Sequence, residues 1–191
     1  MVVIKRKPIP QDTAPTFGSK DKQASLHDQI VLRAERWLDN QGCSVVIREP
    51  FRSWNKEQPD AIGWRSDVSI LIEVKASRSD FLSDKSKTFR ADPDKGMGDW
   101  RFYMCPPGII KIEDLPKGWG LLYVTDKTVK RVHGIPPNAA WSREKPFDGN
   151  KANENTMLTS ALRRLKLRGY LPEIYAGVLV DENGHQMETR L

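Results

Sequence analysis

The pair Pro59-Asp60 is followed, thirteen residues after its acid, by Glu73-Val74-Lys75, the one place in the 191-residue chain where an acid precedes a lysine by two positions. Strand alternation puts Glu73 and Lys75 on the same side of one strand. If residues 59–75 form a hairpin, Asp60 lies across from them on the neighbouring strand, a few ångströms away. Two carboxylates held that close repel unless a proton or a cation sits between them. A hard divalent cation, Mg²⁺ or Mn²⁺, suits the pair. It takes one or two protein carboxylates and fills its other positions with water and phosphate oxygens. Lys75 then adds a compact positive charge beside the attacked phosphate, while the metal polarises the phosphoryl group and activates water near neutral pH. Phosphodiester hydrolysis is the chemistry these parts fit, with Asp60 and Glu73 as metal ligands and Lys75 as the catalytic cation. A glutamate and a lysine two apart on a strand are also a common exposed pair, worth under about 1 kcal/mol. This pair differs in ending a strongly apolar strand, with Pro-Asp on the presumed partner.

Strands and covering helices must position these groups. Ser25 suits the N-cap of a helix reaching Asn40, with Leu26, Ile30, Ala34, Trp37 and Leu38 on one face and Gly42 as its stop. His27 falls toward that apolar side, where it either packs in the core or lines the site. Cys43–Glu49 and Pro59–Trp64 read as short strands, Arg65-Ser66-Asp67 as a turn, and Val68–Lys75 as the strongest strand. Its period of two sets Ile70, Ile72 and Val74 against Leu71, Glu73 and Lys75. Ser79 is expected to cap a helix from Asp80 to Lys87, and 89–100 to form a loop on the active-site side. Further strands are expected at Arg101–Cys105 and Gly120–Val124, around the turn-rich stretch 106–117. Residues 134–150 read as irregular. A last helix is expected from Thr156 to Arg168, burying Leu158, Ala161, Leu162 and Leu165. This order of elements predicts an α/β fold, a mixed central sheet flanked by helices. Residues 1–24, with three prolines and no apolar period, read as a flexible basic arm; 25–191 read as one domain, with a core at 25–133 and a C-terminal helical extension at 150–180.

Composition narrows the function classes. Lys and Arg number 31 against 25 Asp and Glu, a net charge of +6 that makes a polyanionic partner plausible. No run of about 18 apolar residues exists, which excludes a transmembrane helix and a membrane role built on one. In Met1–Pro8 the apolar residues precede the charges, unlike a signal peptide. Two cysteines, Cys43 and Cys105, cannot build a disulfide framework, so reduced thiols in a cytoplasmic protein are expected.

The pattern Pro59-Asp60…Glu73-Val74-Lys75, with a helix before and after, resembles the PD-(D/E)XK nuclease superfamily. The continuation Lys75-Ala-Ser-Arg-Ser-Asp80-Phe81-Leu-Ser-Asp84-Lys85, then Arg101-Phe-Tyr-Met, then Leu115-Pro…Gly120-Leu-Leu-Tyr-Val, resembles the MmcB-like endonuclease group of DNA repair. It is similar also to nuclease-like proteins of phages and mobile elements. The likeness spans residues 26–130. It implies a restriction-endonuclease-like core that cuts DNA in preference to RNA with Mg²⁺ or Mn²⁺, as an endonuclease. Asp60 and Glu73 match the metal carboxylates, and Lys75 the catalytic lysine. A further acid comes either from the first helix, here Asp28 or Glu35, or from the end of the first strand, here Glu49. Glu49 is favoured, then Asp28. Arg78, Lys85 and Lys87 follow the lysine strand and could hold the substrate backbone, and Arg163 and Arg164 of the basic last helix could track phosphates. Many nucleases cut both strands as homodimers, although no interface signature is readable here. The competing function is a nucleic-acid-binding or inhibitory protein that keeps the fold without catalysis.

Overall fold

The structure, a computed structural model, describes residues 25–84 and 95–175, with the backbone of 179–180 and 186–187. The basic arm, Lys85, Lys87 and residues 89–94 of the expected loop lie outside the described residues.

Helix α1 spans Leu26–Asn40 and begins in a capping box, the Ser25 hydroxyl accepting from the Asp28 N–H and the Asp28 carboxylate accepting from the Ser25 N–H. It buries Ile30, Val31, Ala34, Trp37 and Leu38, close to the expected stripe, while Leu26 stays exposed. Gly42, at φ +82°, takes the left-handed turn that lets the chain reverse after the helix. Strands β1 (Val45–Arg48), β2 (Ala61–Arg65) and β3 (Val68–Val74) then form an antiparallel meander. Helix α2 (Arg78–Asp84) leads on to β4 (Trp100–Cys105) and β5 (Gly120–Val124), which run parallel to β3, and β6 (Val129–His133) closes the edge antiparallel to β5. The result is one six-stranded mixed sheet in chain order, flanked by helices: an α/β fold.

Every residue of β3 is buried, as expected for a central strand covered on both faces. Ile70, Ile72 and Val74 join Trp37, Phe102 and Met104 beneath α1. Leu71 joins Phe81, Tyr103, Ile110 and Trp119 on the opposite face. Glu73 and Lys75 therefore project on the side of the sheet away from the bulk of α1.

Three local expectations need correction. The cap of α2 is Ser77, whose hydroxyl accepts from the Asp80 N–H, rather than Ser79. Strand β6 was not expected, because Val129-Lys-Arg-Val-His133 carries only two apolar residues, enough for a half-covered edge. Helix α3 starts at Lys151, capped by Asn150, and runs to Leu167. It buries Glu154 and Met157, while Leu162 and Leu165 are exposed. Polar contacts at its first turn, not the leucine stripe, fasten it to the sheet. Those contacts centre on Glu154, which accepts from the Ser69 hydroxyl (2.7 Å), the Gly98 N–H (3.0 Å) and the Trp64 indole N–H (3.2 Å). Beside it the buried Asp99 carboxylate accepts from the Ser69 N–H (2.8 Å), the Gly149 N–H (3.0 Å) and Lys151 Nζ (2.5 Å).

Candidate active site

The ladders of β1, β2 and β3 each continue one step beyond the regular strands. Arg48 pairs with Ala61, and the Glu49 N–H donates to the Asp60 carbonyl at 3.0 Å. Ala61 pairs with Ile72, so Asp60 stands opposite Glu73, and Glu73 in turn pairs with Tyr103 of β4. Glu49, Asp60 and Glu73 thus lie on one rung across three neighbouring strands. Lys75 follows two residues later, its N–H bonded to the Met104 carbonyl at 3.0 Å. The register that brings the acids together is ordinary sheet pairing.

Each side chain is held. Asp60, 8% exposed, accepts from the Val74 N–H at 2.6 Å through one carboxylate oxygen. Its other oxygen lies 3.7 Å from His27 Nε2, which also sits 3.1 Å from Glu49 Oε2. Glu73 and Lys75 are 2% and 4% exposed. The Lys75 ammonium lies 3.7 Å from Glu73 Oε2 and 3.8 Å from Asp80 Oδ1. Asp80, in the first turn of α2, also accepts from the Ala76 N–H at 3.3 Å, so its carboxylate steers the lysine from behind.

The electrostatics of this cluster are unbalanced. Burial pushes the Asp60 carboxyl up to about 7, and the charges of Glu73 and Glu49 push the same way; the Val74 hydrogen bond and His27 oppose them. Near neutral pH a substantial fraction of this buried carboxyl therefore remains protonated, and a nearby cation would favour its charged form. One donor atom each from His27, Glu49 and Asp60 lies within 4.8 Å of the other two. A divalent cation fits that donor set, with Glu73 contributing negative charge from the next strand. The grouping differs from the expected Asp60–Glu73 pair in drawing on His27 and Glu49.

The other expected residues divide clearly. Glu49, Asp60, Glu73 and Lys75 come together. Asp28 does not join them: its carboxylate is spent on capping α1. Glu35 is paired to Arg48 at 2.6 Å. Arg78 is bound to Asp114 (2.6 Å to Oδ1) and to the Ile109 carbonyl (3.1 Å), which explains its position better than substrate contact does. Arg163 is exposed on α3; Arg164 donates to the Arg52 carbonyl at 2.5 Å and lies over the Phe51 ring. His27 reaches the site because α1 begins at the end of the sheet where β1 finishes, and its placement near the helix start was the sequence signal. Glu154 and Asp99 carried no such signal, being 55 residues apart and linked only through the fold.

The site lies at the end of an α/β sheet, and among the described residues no helix is long and apolar enough to cross a membrane. Comparison with protein-family models finds no match, and comparison with curated proteins finds none either. Among solved structures, the chain is similar to the SPO1766 protein of unknown function from Silicibacter pomeroyi. The identity is 23% and the TM-score 0.47, over 80% of this chain and 89% of that one.

Proposed function

We propose that the chain is a metal-dependent nuclease of the PD-(D/E)XK kind that hydrolyses phosphodiester bonds in DNA, acting as an endonuclease in DNA repair or in phage or mobile-element processing. The observation that carries this reading is the single rung of Glu49, Asp60 and Glu73, with Lys75 two residues beyond. A bound Mg²⁺ or Mn²⁺ supplies Lewis-acid polarisation of the scissile phosphate. Asp60 and Glu49 are the carboxylate ligands of this reading, and Glu73 completes the negative field. His27 adds a nitrogen donor, which Mn²⁺ tolerates better than the strictly oxygen-seeking Mg²⁺. To hold a cation, Asp60 would have to be in its carboxylate form, which burial beside Glu73 and Glu49 disfavours in the empty site. Lys75, steadied between Glu73 and Asp80, sets its ammonium against the charge that grows on the phosphate during attack. Under this reading the partner is DNA, the protein works in the cytoplasm at the nucleoid, and a homodimer is one way for such a site to cut both strands of a duplex.

The test is cleavage of plasmid and oligonucleotide DNA with Mg²⁺, Mn²⁺ or EDTA. Metal-dependent cleavage that Lys75→Ala and Glu73→Gln each reduce by at least about 100-fold supports the reading. Equal cleavage by wild type and Lys75→Ala refutes it, since the activity then belongs to a contaminant.

A further inference from the structure

The segment between Glu49 and Asp60 does more than connect two site acids. At its middle Trp54 is 95% exposed, whereas tryptophan is on average among the most buried side chains. The loop is well braced. Gln58 donates to the Ser53 carbonyl (3.2 Å) and the Asn55 carbonyl (2.5 Å) and accepts from the Ser53 N–H (3.2 Å). Asn55 donates to the Asn153 carbonyl of α3 at 2.7 Å. The Arg164 guanidinium lies 4.1 Å over the Phe51 ring while donating to the Arg52 carbonyl. The indole is therefore presented to solvent by a fixed frame.

Trp54 lines a groove of about 700 Å³ between this loop and α3, together with Arg52, Ser53, Thr159, Ser160, Arg163 and Arg164. Three guanidinium groups and three hydroxyls line it, and no carboxylate does. A second groove of about 570 Å³ that Trp54 also lines carries Lys56 and Lys95 but includes the Glu57 carboxylate, whereas the first has cations and hydroxyls with no carboxylate. A flat aromatic wall beside closely set cations matches the two faces of a nucleotide: a base that stacks and a phosphate that carries charge. An acidic peptide would satisfy the cations but has no use for the indole face. A paired base has both faces covered by its neighbours, so the stacking partner must be unpaired.

We propose that Trp54 and this groove hold an unpaired stretch of DNA strand beside the candidate active site, Trp54 stacking on a base while Arg52, Arg163 and Arg164 neutralise phosphates. This rests on the nuclease reading and deepens it by naming the strand state of the substrate. The reach is right. Trp54 is five residues from Glu49 and six from Asp60, so at most about 20 Å of extended chain separates it from either. About six nucleotides at the stacked 3.4 Å spacing cover that distance.

The experiment measures binding of labelled single-stranded DNA, the matching duplex and the matching RNA strand to the full chain in EDTA, where cleavage is off. Trp54→Ala should weaken single-stranded DNA binding by about 5- to 100-fold and leave duplex binding within about twofold. Trp54→Phe should restore most of the loss. Arg52→Ala with Arg163→Ala should lower the slope of log affinity against log salt by about 1.4, or 0.7 per phosphate contact. Because Trp54 is solvent-exposed, its variants keep the fold, and matching melting curves check this. Unchanged binding by Trp54→Ala, equal losses on single strand and duplex, or no single-strand binding by wild type would each overturn the proposal. So would tighter RNA than DNA binding, or Trp54-dependent binding of an acidic peptide in its place. Metal-dependent cleavage with a silent Trp54→Ala would sink this proposal alone. Trp54-dependent single-strand binding without cleavage would sink the nuclease reading alone.

Discussion

Replacing Asp60 with asparagine should stabilise the metal-free protein, against the general rule that changes at buried positions destabilise. Asparagine keeps an oxygen to accept from the Val74 N–H and removes the charge that burial and the neighbouring acids oppose. The folded carboxyl titrates at about 7 against an ordinary value of 3.8. Between those values the folded state holds a proton that the unfolded chain has released. Wild-type stability therefore falls as pH rises from about 4 to 7 and is flat above. The full shift corresponds to about 4 kcal/mol at about 1.4 kcal/mol per unit, and relaxation around the carboxyl brings the expected gain to about 2–4 kcal/mol at pH 8. For a domain of this size that is a rise in Tm of roughly 5–15 °C. At pH 5 the difference should shrink to about a third. Thermal melts in EDTA at pH 5 and pH 8 read the comparison directly. Adding Mn²⁺ at pH 8 should then stabilise wild type more than the variant, which keeps His27 and Glu49 but lacks one of the carboxylates. An Asp60→Asn protein no more stable than wild type at pH 8, or one with the same gain at both pH values, would refute the electrostatic account of the site.

His27→Ala should weaken Mn²⁺ binding by roughly 10-fold while changing Mg²⁺ binding less, a difference read by calorimetry; equal losses would show that the imidazole is no ligand. Lys75→Ala should keep metal affinity within a few-fold of wild type and lose about 100-fold or more in cleavage rate, separating a role on the phosphate from one in holding the ion. Asp99→Asn should cost about 1–3 kcal/mol in urea unfolding at pH 7. Although burial alone would raise it, the bonds from Lys151, Gly149 and Ser69 hold the Asp99 carboxyl below the usual range. The stability it adds is therefore present above about pH 4 and lost as the solution is made more acid, so the variant's deficit should shrink on acidification. Its metal binding should be unchanged, because Ser69 and Glu73 are four residues apart on β3, about 13 Å.

The rung of acids was legible because it depends on local rules. A Pro-Asp strand, a tight turn at Arg65–Asp67 and an alternating strand leave little choice of register, and the structure pairs Ala61 with Ile72 as a hairpin would. Glu49 was harder, since ten residues intervene before Asp60 and only the β1–β2 ladder decides whether the two acids meet. Asp28 misled because an acid at the third position of a helix serves its own N-terminus well. The leucines of α3 misled for another reason: helical spacing reports an apolar stripe but not whether a sheet lies beneath it. Asp99, Lys151 and Glu154 were out of reach, because their partners are fixed by tertiary placement alone.

The fastening of α3 has a consequence for how this protein can be divided. A version shortened to end at His133 would contain the whole sheet and every site acid, and would look self-sufficient. It would also strand the Asp99 carboxylate without Lys151 and Gly149, and leave the Gly98 N–H and the Trp64 indole without the Glu154 oxygens they use. The smallest autonomous unit must therefore extend at least through Met157. The helix that sequence sets apart as an appendage is the keystone at the sheet's far end.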